Sequence, residues 1–184
     1  VGGEEAAKLK RFPSDINPEA KMNMVEAKVN GLALDVVTNS PVVILSASDS
    51  SDRLLPIWIG HYEALAIAME LSGVSSRRPL THDLLKSVIA SLGARVLKVE
   101  VTELKEQTFY AKIHIQMNGS HLEVDARPSD SIALALKTKV PLFVSEELFQ
   151  IKRGDRTTPD MSDPEALKER LKRINPEDFG KYSL

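Results

Sequence analysis

The chain contains no cysteine among its 184 residues. Disulfides, zinc–thiolate centres and cysteine nucleophiles are therefore excluded. This is compatible with a reducing compartment, and a cytoplasmic protein is expected. Aromatic side chains make up only 5% of the residues, with a single tryptophan. No aromatic ladder of the kind that stacks on single-stranded bases is visible. Neither sign of charge dominates: 24 Lys and Arg against 26 Asp and Glu leave a net charge of −2. That argues against a protein that coats nucleic acid by bulk charge, but allows a local basic groove or an acidic metal site. No apolar run approaches the roughly 20 residues of a membrane span. The opening VGGEEAAKLKRFPSD has no apolar core of the signal-peptide kind, so no membrane partner is expected. A phosphate-cradling glycine loop, a GxSxG elbow and an HExxH zinc motif are also missing.

What is present divides into four parts. Residues 1–23 are polar and aperiodic and read as a flexible leader. Residues 24–150 read as the folded domain, 151–162 as a polar linker, and 163–184 as an amphipathic surface helix with a tail. In that helix Asp163 caps, Pro164 takes the first position, and Leu167, Leu171 and Ile174 form a narrow stripe.

Inside the domain, Val25 to Val37 predicts one long strand, with Asn30-Gly31 marking a bulge rather than a turn. VVIL and LLPIWIG predict two more strands, and Pro56 places the latter at a sheet edge or bulge. HYEALAIAMELSG is apolar on nearly every side, as in a buried helix that stops at Gly73. A second helix follows. Leu84, Leu85, Val88, Ile89 and Leu92 share its core-facing side, with Thr81 as N-cap and Gly93 just past its end. In RVLKVEV and TFYAKIHIQM, apolar and polar residues alternate. Asn118-Gly119 predicts a two-residue hairpin that pairs Ile115 with Leu122, Ile113 with Val124, Lys112 with Asp125, and His114 with Glu123. Matching faces across the preceding turn, Glu103 to Gln107, requires three or five loop residues, so a bulged hairpin is expected. His114 and His121 fall on a solvated polar face. RPSDSIALALKT predicts a helix capped by Ser129, and PLFV a last strand at a sheet edge.

Both halves offer three strands and then a helix. This predicts an α+β fold of two internally duplicated β3α units. Together they form one curved, mostly antiparallel, barrel-like sheet flanked by helices.

Two corners carry polar residues that structure alone does not use up. In Arg77-Arg78-Pro79-Leu80-Thr81-His82-Asp83, the proline, threonine and aspartate suffice to start a helix. His82 and the arginines are surplus to that task. A helix N-terminus attracts phosphate, arginine grips it, and histidine moves protons. Asp125-Ala126-Arg127-Pro128-Ser129-Asp130 repeats the device. Its Asp125 and Asp130 flank a strand end and a helix start, where oxygen ligands suit magnesium or manganese. Each corner remains open to a purely structural reading. So does Gly60-His61-Tyr62-Glu63, where an acid opens the buried helix.

The ordered motifs LPIWIGHYEALAIA, RPLTHDLL, TFYAKI, DARPSDSIALAL and PLFVSEEL resemble the bifunctional nuclease domain family over about residues 24–149. The closing INPEDFG is similar to the tail of bacterial members. One departure is TKVP at Thr138 to Pro141, where relatives often have a small residue, which puts a tight helix stop in question. The resemblance implies an internally duplicated α+β fold and cleavage of RNA and DNA. The matching polar positions are Arg78, Thr81, His82, Asp83, Asp125, Arg127, Ser129 and Asp130.

Two functions are therefore expected in competition. The first is a hydrolase of RNA and single-stranded DNA, assisted by magnesium or manganese. His82, Asp83 and Asp130 would be catalytic. Arg78, Thr81, Arg127 and Ser129 would bind phosphate, and Asp83, Asp125 and Asp130 would hold the metal. The second is a non-enzymatic, homo-oligomeric binding or regulatory protein for an anionic ligand or a protein partner. The first requires both corners to meet in space.

Overall fold

The structure is a computed structural model that describes residues 23–150, 169 and 171–175. Strands β1 (Met24–Asp35), β2 (Ser40–Ala47) and β3 (Ser50–Trp58) lead into helices α1 (His61–Ser72) and α2 (Thr81–Ser91). Then come β4 (Ala94–Lys105), β5 (Thr108–Met117), β6 (Ser120–Ala126), α3 (Pro128–Thr138), β7 (Leu142–Ser145), α4 (Glu146–Gln150) and β8 (Leu171–Ile174). The strands form one sheet in the order β3-β2-β1-β7-β4-β5-β6, with β8 also paired to β1. Every pairing is antiparallel except β4 with β7.

The expected α+β class and mostly antiparallel sheet are present, but the sheet is not closed, since β3 and β6 end the order without pairing. β3 is the edge strand that Pro56 suggested. PLFV is no edge: β7 lies between β1 and β4.

Local register follows side-chain alternation closely. β1 is continuous through Asn30-Gly31, with a register shift between Val29 and Gly31. The β5–β6 hairpin has the expected partners, and Asn118 and Gly119 both take positive φ, 51° and 76°, as a type I′ turn requires. The preceding turn differs from expectation. Lys105 pairs with Thr108 across a two-residue loop, Glu106-Gln107, again with both φ positive. Face matching is restored inside β4 instead, by register shifts between Val96 and Lys98 and between Val101 and Glu103. A bulge adds one unpaired residue and flips the parity just as an odd loop would.

The core lies between one sheet face and the helices, built from Leu32, Leu45, Ile67, Val99, Val101, Ile132, Leu134 and Val144, all fully buried. α3 is buried along most of its length. α1 and α2 each pack against it.

Three sequence expectations need correction here. α2 turns only Ile89 onto the core, leaving Leu84, Leu85, Val88 and Leu92 exposed. Thr81 and Ser129 are not N-caps: those positions belong to Leu80 and Arg127. Leu171–Ile174, assigned above to a helix, is a strand on β1, where Arg173 also reaches the Asn30 carbonyl at 3.4 Å. Strand pairing with an available edge outweighs the narrow apolar stripe. Glu169, within the expected C-terminal helix, is helical; the remainder of that helix, the leader up to residue 22 and the linker at 151–162 lie outside the described residues.

α3 does stop tightly despite the TKVP sequence. Lys139 takes a left-handed conformation, φ 56° and ψ 40°, and its N–H reaches the Leu136 carbonyl. A β-carbon in that conformation costs about 1–2 kcal/mol, partly offset because glycine loses more freedom on folding. Lys139→Gly is therefore expected to raise unfolding stability by about 0.5–1 kcal/mol, read from the urea midpoint at unchanged slope.

Candidate functional site

α1 and α3 run side by side in the same direction, as their cross-links show. Near the start of both helices Arg127 Nη2 donates to Glu63 Oε1 at 2.6 Å. Seven residues further along α1, and ten further along the chain at α3, Lys137 Nζ donates to Glu70 Oε1 at 2.8 Å. On α1 seven residues make two turns, about 10.5 Å of axis, so one stripe of α1 meets α3 twice.

One stripe of α3, carrying Asp130 and Lys137, also fixes the start of α2. His82 Nε2 lies 3.0 Å from Asp130 Oδ1, and Lys137 Nζ donates to Asp83 Oδ1 at 2.6 Å. Lys86 Nζ adds a bond to the Lys137 carbonyl at 2.8 Å. The second oxygen of Asp83 accepts the Leu80 N–H at 2.9 Å. That is half of a capping box, since leucine has no acceptor to complete it. The two corners of the sequence, 48 residues apart at His82 and Asp130, thus meet directly.

Asp130 is the junction. Besides His82, it accepts from Arg127 Nε at 2.7 Å and from Nη2 at 3.1 Å. Burial alone pushes its carboxyl toward the neutral form. The hydrogen bonds from Arg127 and His82 outweigh this and hold it below the usual carboxylate range. Asp83 is likewise pushed up by burial, but lowered overall by Lys137 and the Leu80 N–H. Lys137, whose side chain is 5% exposed, is penalised by burial. Its bonds to Asp83 and Glu70 hold it above an ordinary lysine nonetheless.

The remaining expected residues divide clearly. Arg127 is at the junction with a 66% exposed side chain, and its Nη1 makes no bond among the described residues. His82 is buried, at 7% exposure. Arg78 and Thr81 are exposed at the start of α2, and neither makes a side-chain bond or ion pair among the described residues. Ser129 is buried in the first turn of α3.

The metal set is not brought together. Asp83 faces Lys137, Asp130 faces His82 and Arg127, and Asp125 is exposed on β6. Among the described residues no three histidine or carboxylate side chains gather where an ion would sit. The donors of Asp83 and Asp130 are already engaged by cations and N–H groups, so this trio does not fit magnesium or manganese.

A groove of about 360 Å³ opens beside Arg127 and Ser129. Its other walls include Trp58 and Gly60 from the end of β3 and the start of α1, and Gln107 and Phe109 from the β4–β5 turn. It therefore bridges strands from opposite ends of the open sheet. A β-carbon at Gly60 would displace Glu63 Oε2 from its present position. Its absence lets the Glu63 carboxylate fold back to Arg127.

Several participants escaped the sequence reading. From sequence, Glu63 reads only as an acid at a helix start. Lys137 was not singled out, although Asp130, Ala133, Leu134 and Lys137 follow the i, i+3, i+4, i+7 spacing of one helical stripe. His114, expected on a solvated face, is 3% exposed. Its Nε2 lies 2.7 Å from Glu100 Oε2, and its Nδ1 lies 3.0 Å from His121 Nε2.

Fold and site together define a small α+β domain in which three helix starts share a His–Asp–Arg junction beside an open-sheet groove. A sequence profile described as the bifunctional nuclease domain matches residues 43–155, which contain every residue of that junction. The chain belongs to the bifunctional nuclease domain family. It is 41% identical over 167 residues to an uncharacterized protein of Mycobacterium tuberculosis strain H37Rv, covering 85% of this chain and 98% of that one. It is also 28% identical over 109 residues to Bifunctional nuclease 1 of Oryza sativa subsp. japonica, covering 58% of this chain and 33% of that protein. With Bifunctional nuclease 1 of Arabidopsis thaliana it is 27% identical over 111 residues, 59% of this chain and 34% of that one. The chain thus spans about a third of these plant relatives.

The charged stripe makes a pH-dependent contribution. Asp83 and Asp130 have lowered folded values, so their stabilisation is present above the unfolded carboxylate range, about 4. It is lost as pH falls through the folded values. Lys137→Met leaves Glu70 and Asp83 without their cation. It is expected to cost on the order of 1–3 kcal/mol at pH 7, less than a fully buried pair because both acids reach solvent. In chemical denaturation across pH 7 to 2, the gap between wild type and Lys137→Met should narrow below about pH 4.

Proposed function

We propose that the protein is a nuclease that hydrolyses phosphodiester bonds of RNA and single-stranded DNA. The observation that carries this reading is the 3.0 Å contact between His82 and Asp130. It joins the two corners whose residues the family resemblance implies, beside arginines that can meet a phosphate. Asp130, held ionised by Arg127, accepts from His82 Nε2 and fixes the ring. Nδ1 is then the nitrogen left to take a proton from an attacking hydroxyl or water. Arg127 through Nη1, and Arg78, which pairs with no acid among the described residues, offset charge that develops on the phosphoryl oxygens. Thr81 and Ser129 stand in the first turns of α2 and α3, where free N–H groups favour an anion. Magnesium or manganese would accompany the phosphate; no step is assigned to the Asp83, Asp125 and Asp130 set, whose oxygens do not converge.

A second reading rests on α2. Leu84 and Leu92 are 58% and 66% exposed, and Leu85 and Val88 lie on the same helix. An apolar helix face that its own core does not cover fits a contact with a second copy. The protein would then be a homo-oligomeric binding or regulatory protein whose corners hold an anionic ligand.

Rigorously purified protein, assayed on RNA and single-stranded DNA with Mg²⁺ or Mn²⁺, should cleave both. His82→Ala and Asp130→Asn should each reduce the rate by about 100-fold or more. Cleavage that survives both substitutions would place the activity elsewhere. No cleavage, together with an oligomer that Leu84→Glu dissociates, would select the second reading.

A further inference from the structure

We infer that the groove at the open seam of the sheet is a subsite for one unpaired nucleobase of a single-stranded chain. The inference rests on the nuclease reading only for its choice of nucleic acid as ligand.

Its first support is the placement of aromatic residues. Trp58 and Phe109 lie 51 positions apart and show no ladder in the sequence, yet both line this groove. The indole is pre-positioned. Trp58 Nε1 donates at 2.8 Å to Asp35, which is fully buried and also receives the Val37 and Thr38 N–H groups. A ring anchored at one edge loses little further freedom when a flat ligand stacks on it, and stacking of a base on an aromatic side chain is a sequence-tolerant source of affinity.

The second support is the polar rim. Arg127 and Gln107 border the same groove, residues whose guanidinium and amide suit base edges or a phosphate. α1 and α3 both begin at it, through Gly60 and Arg127, and neither helix start carries a side-chain cap. Two sets of unfilled N–H groups at one rim suit the phosphate attached to the base. Glu63 and Asp130 would repel that phosphate, but Arg127 lies against both.

The third support is size. A volume of about 360 Å³ is near the lower end of small-molecule sites, roughly 300–1,000 Å³. It holds one nucleotide and not a duplex, and bases inside a duplex have no free face to present to Trp58.

Trp58 is the chain's sole tryptophan, so its emission reports on this groove alone. The experiment titrates the intact protein, without added metal, with an eight-nucleotide single strand, with the duplex of the same sequence, and with a mononucleotide. Saturable quenching by the single strand, little by the duplex, and much weaker binding of the mononucleotide are expected. Phe109→Leu, which keeps an apolar side chain but removes the ring, should weaken the single strand about tenfold. Single-strand binding by fluorescence anisotropy with Trp58 emission unchanged would overturn the inference. Equal binding of mononucleotide and single strand would overturn it too, in favour of a free-nucleotide site. Quenching without any cleavage would sink the nuclease reading and support the subsite. Cleavage without quenching would do the reverse.

Discussion

The arrangement of the helical layer depends on one buried cation, Lys137. Its ammonium lies between Glu70 on α1 and Asp83 on α2, with its own side chain almost wholly out of water. A buried ammonium is tolerated only where charge and hydrogen bonds compensate it. Sliding either neighbouring helix along α3 would strip that compensation. Two turns back Asp130 repeats the link to α2 through His82, and Arg127 at the start of α3 repeats the link to α1 through Glu63. The register of three helices is thus fixed twice by charge as well as by packing. The position of His82 is a result of that register rather than of its immediate sequence neighbours.

This explains what could be read from sequence and what could not. The Asn118-Gly119 hairpin and all its partners were legible, because period-two alternation and turn chemistry act over a few residues. So were the bulged β1, the edge position of Pro56, and the stops at Gly73 and Gly93. The hairpin before β5 is bulged, as its parity requires, but the extra residues sit inside β4 rather than in the loop, because a bulge and an extra loop residue have the same effect on facing. The helix over Leu171–Ile174 failed because the edge of β1 that it pairs with is almost 140 residues away in sequence.

Site residues show the same division. Proline-guided helix starts at Arg78-Pro79 and Arg127-Pro128 were visible as a repeated device, and the surplus of His82 over structural need was visible too. That Asp83 belongs to Lys137 instead of to a metal was not, because a local pattern does not show which long-range cation an acid will meet. The groove was hidden for a related reason. It exists only because the sheet bends far enough to bring the end of β3 near the β4–β5 turn without closing. A closed barrel would have filled that seam with backbone hydrogen bonds. The open one leaves an aromatic wall, an arginine and two helix starts exposed to a ligand, in a protein whose net charge of −2 gives no bulk attraction to polyanions.

The central claim is that Asp130, kept ionised, holds His82 through Nε2 and leaves Nδ1 as the basic nitrogen. Long-range ¹H–¹⁵N correlation spectra of the four histidines, with His82 assigned from His82→Gln, test this directly at a pH where the ring is neutral. The account predicts that His82 carries its proton on Nε2, and that Asp130→Ala removes this tautomer preference. A proton on Nδ1 in the wild type, or a tautomer indifferent to loss of Asp130, would contradict it.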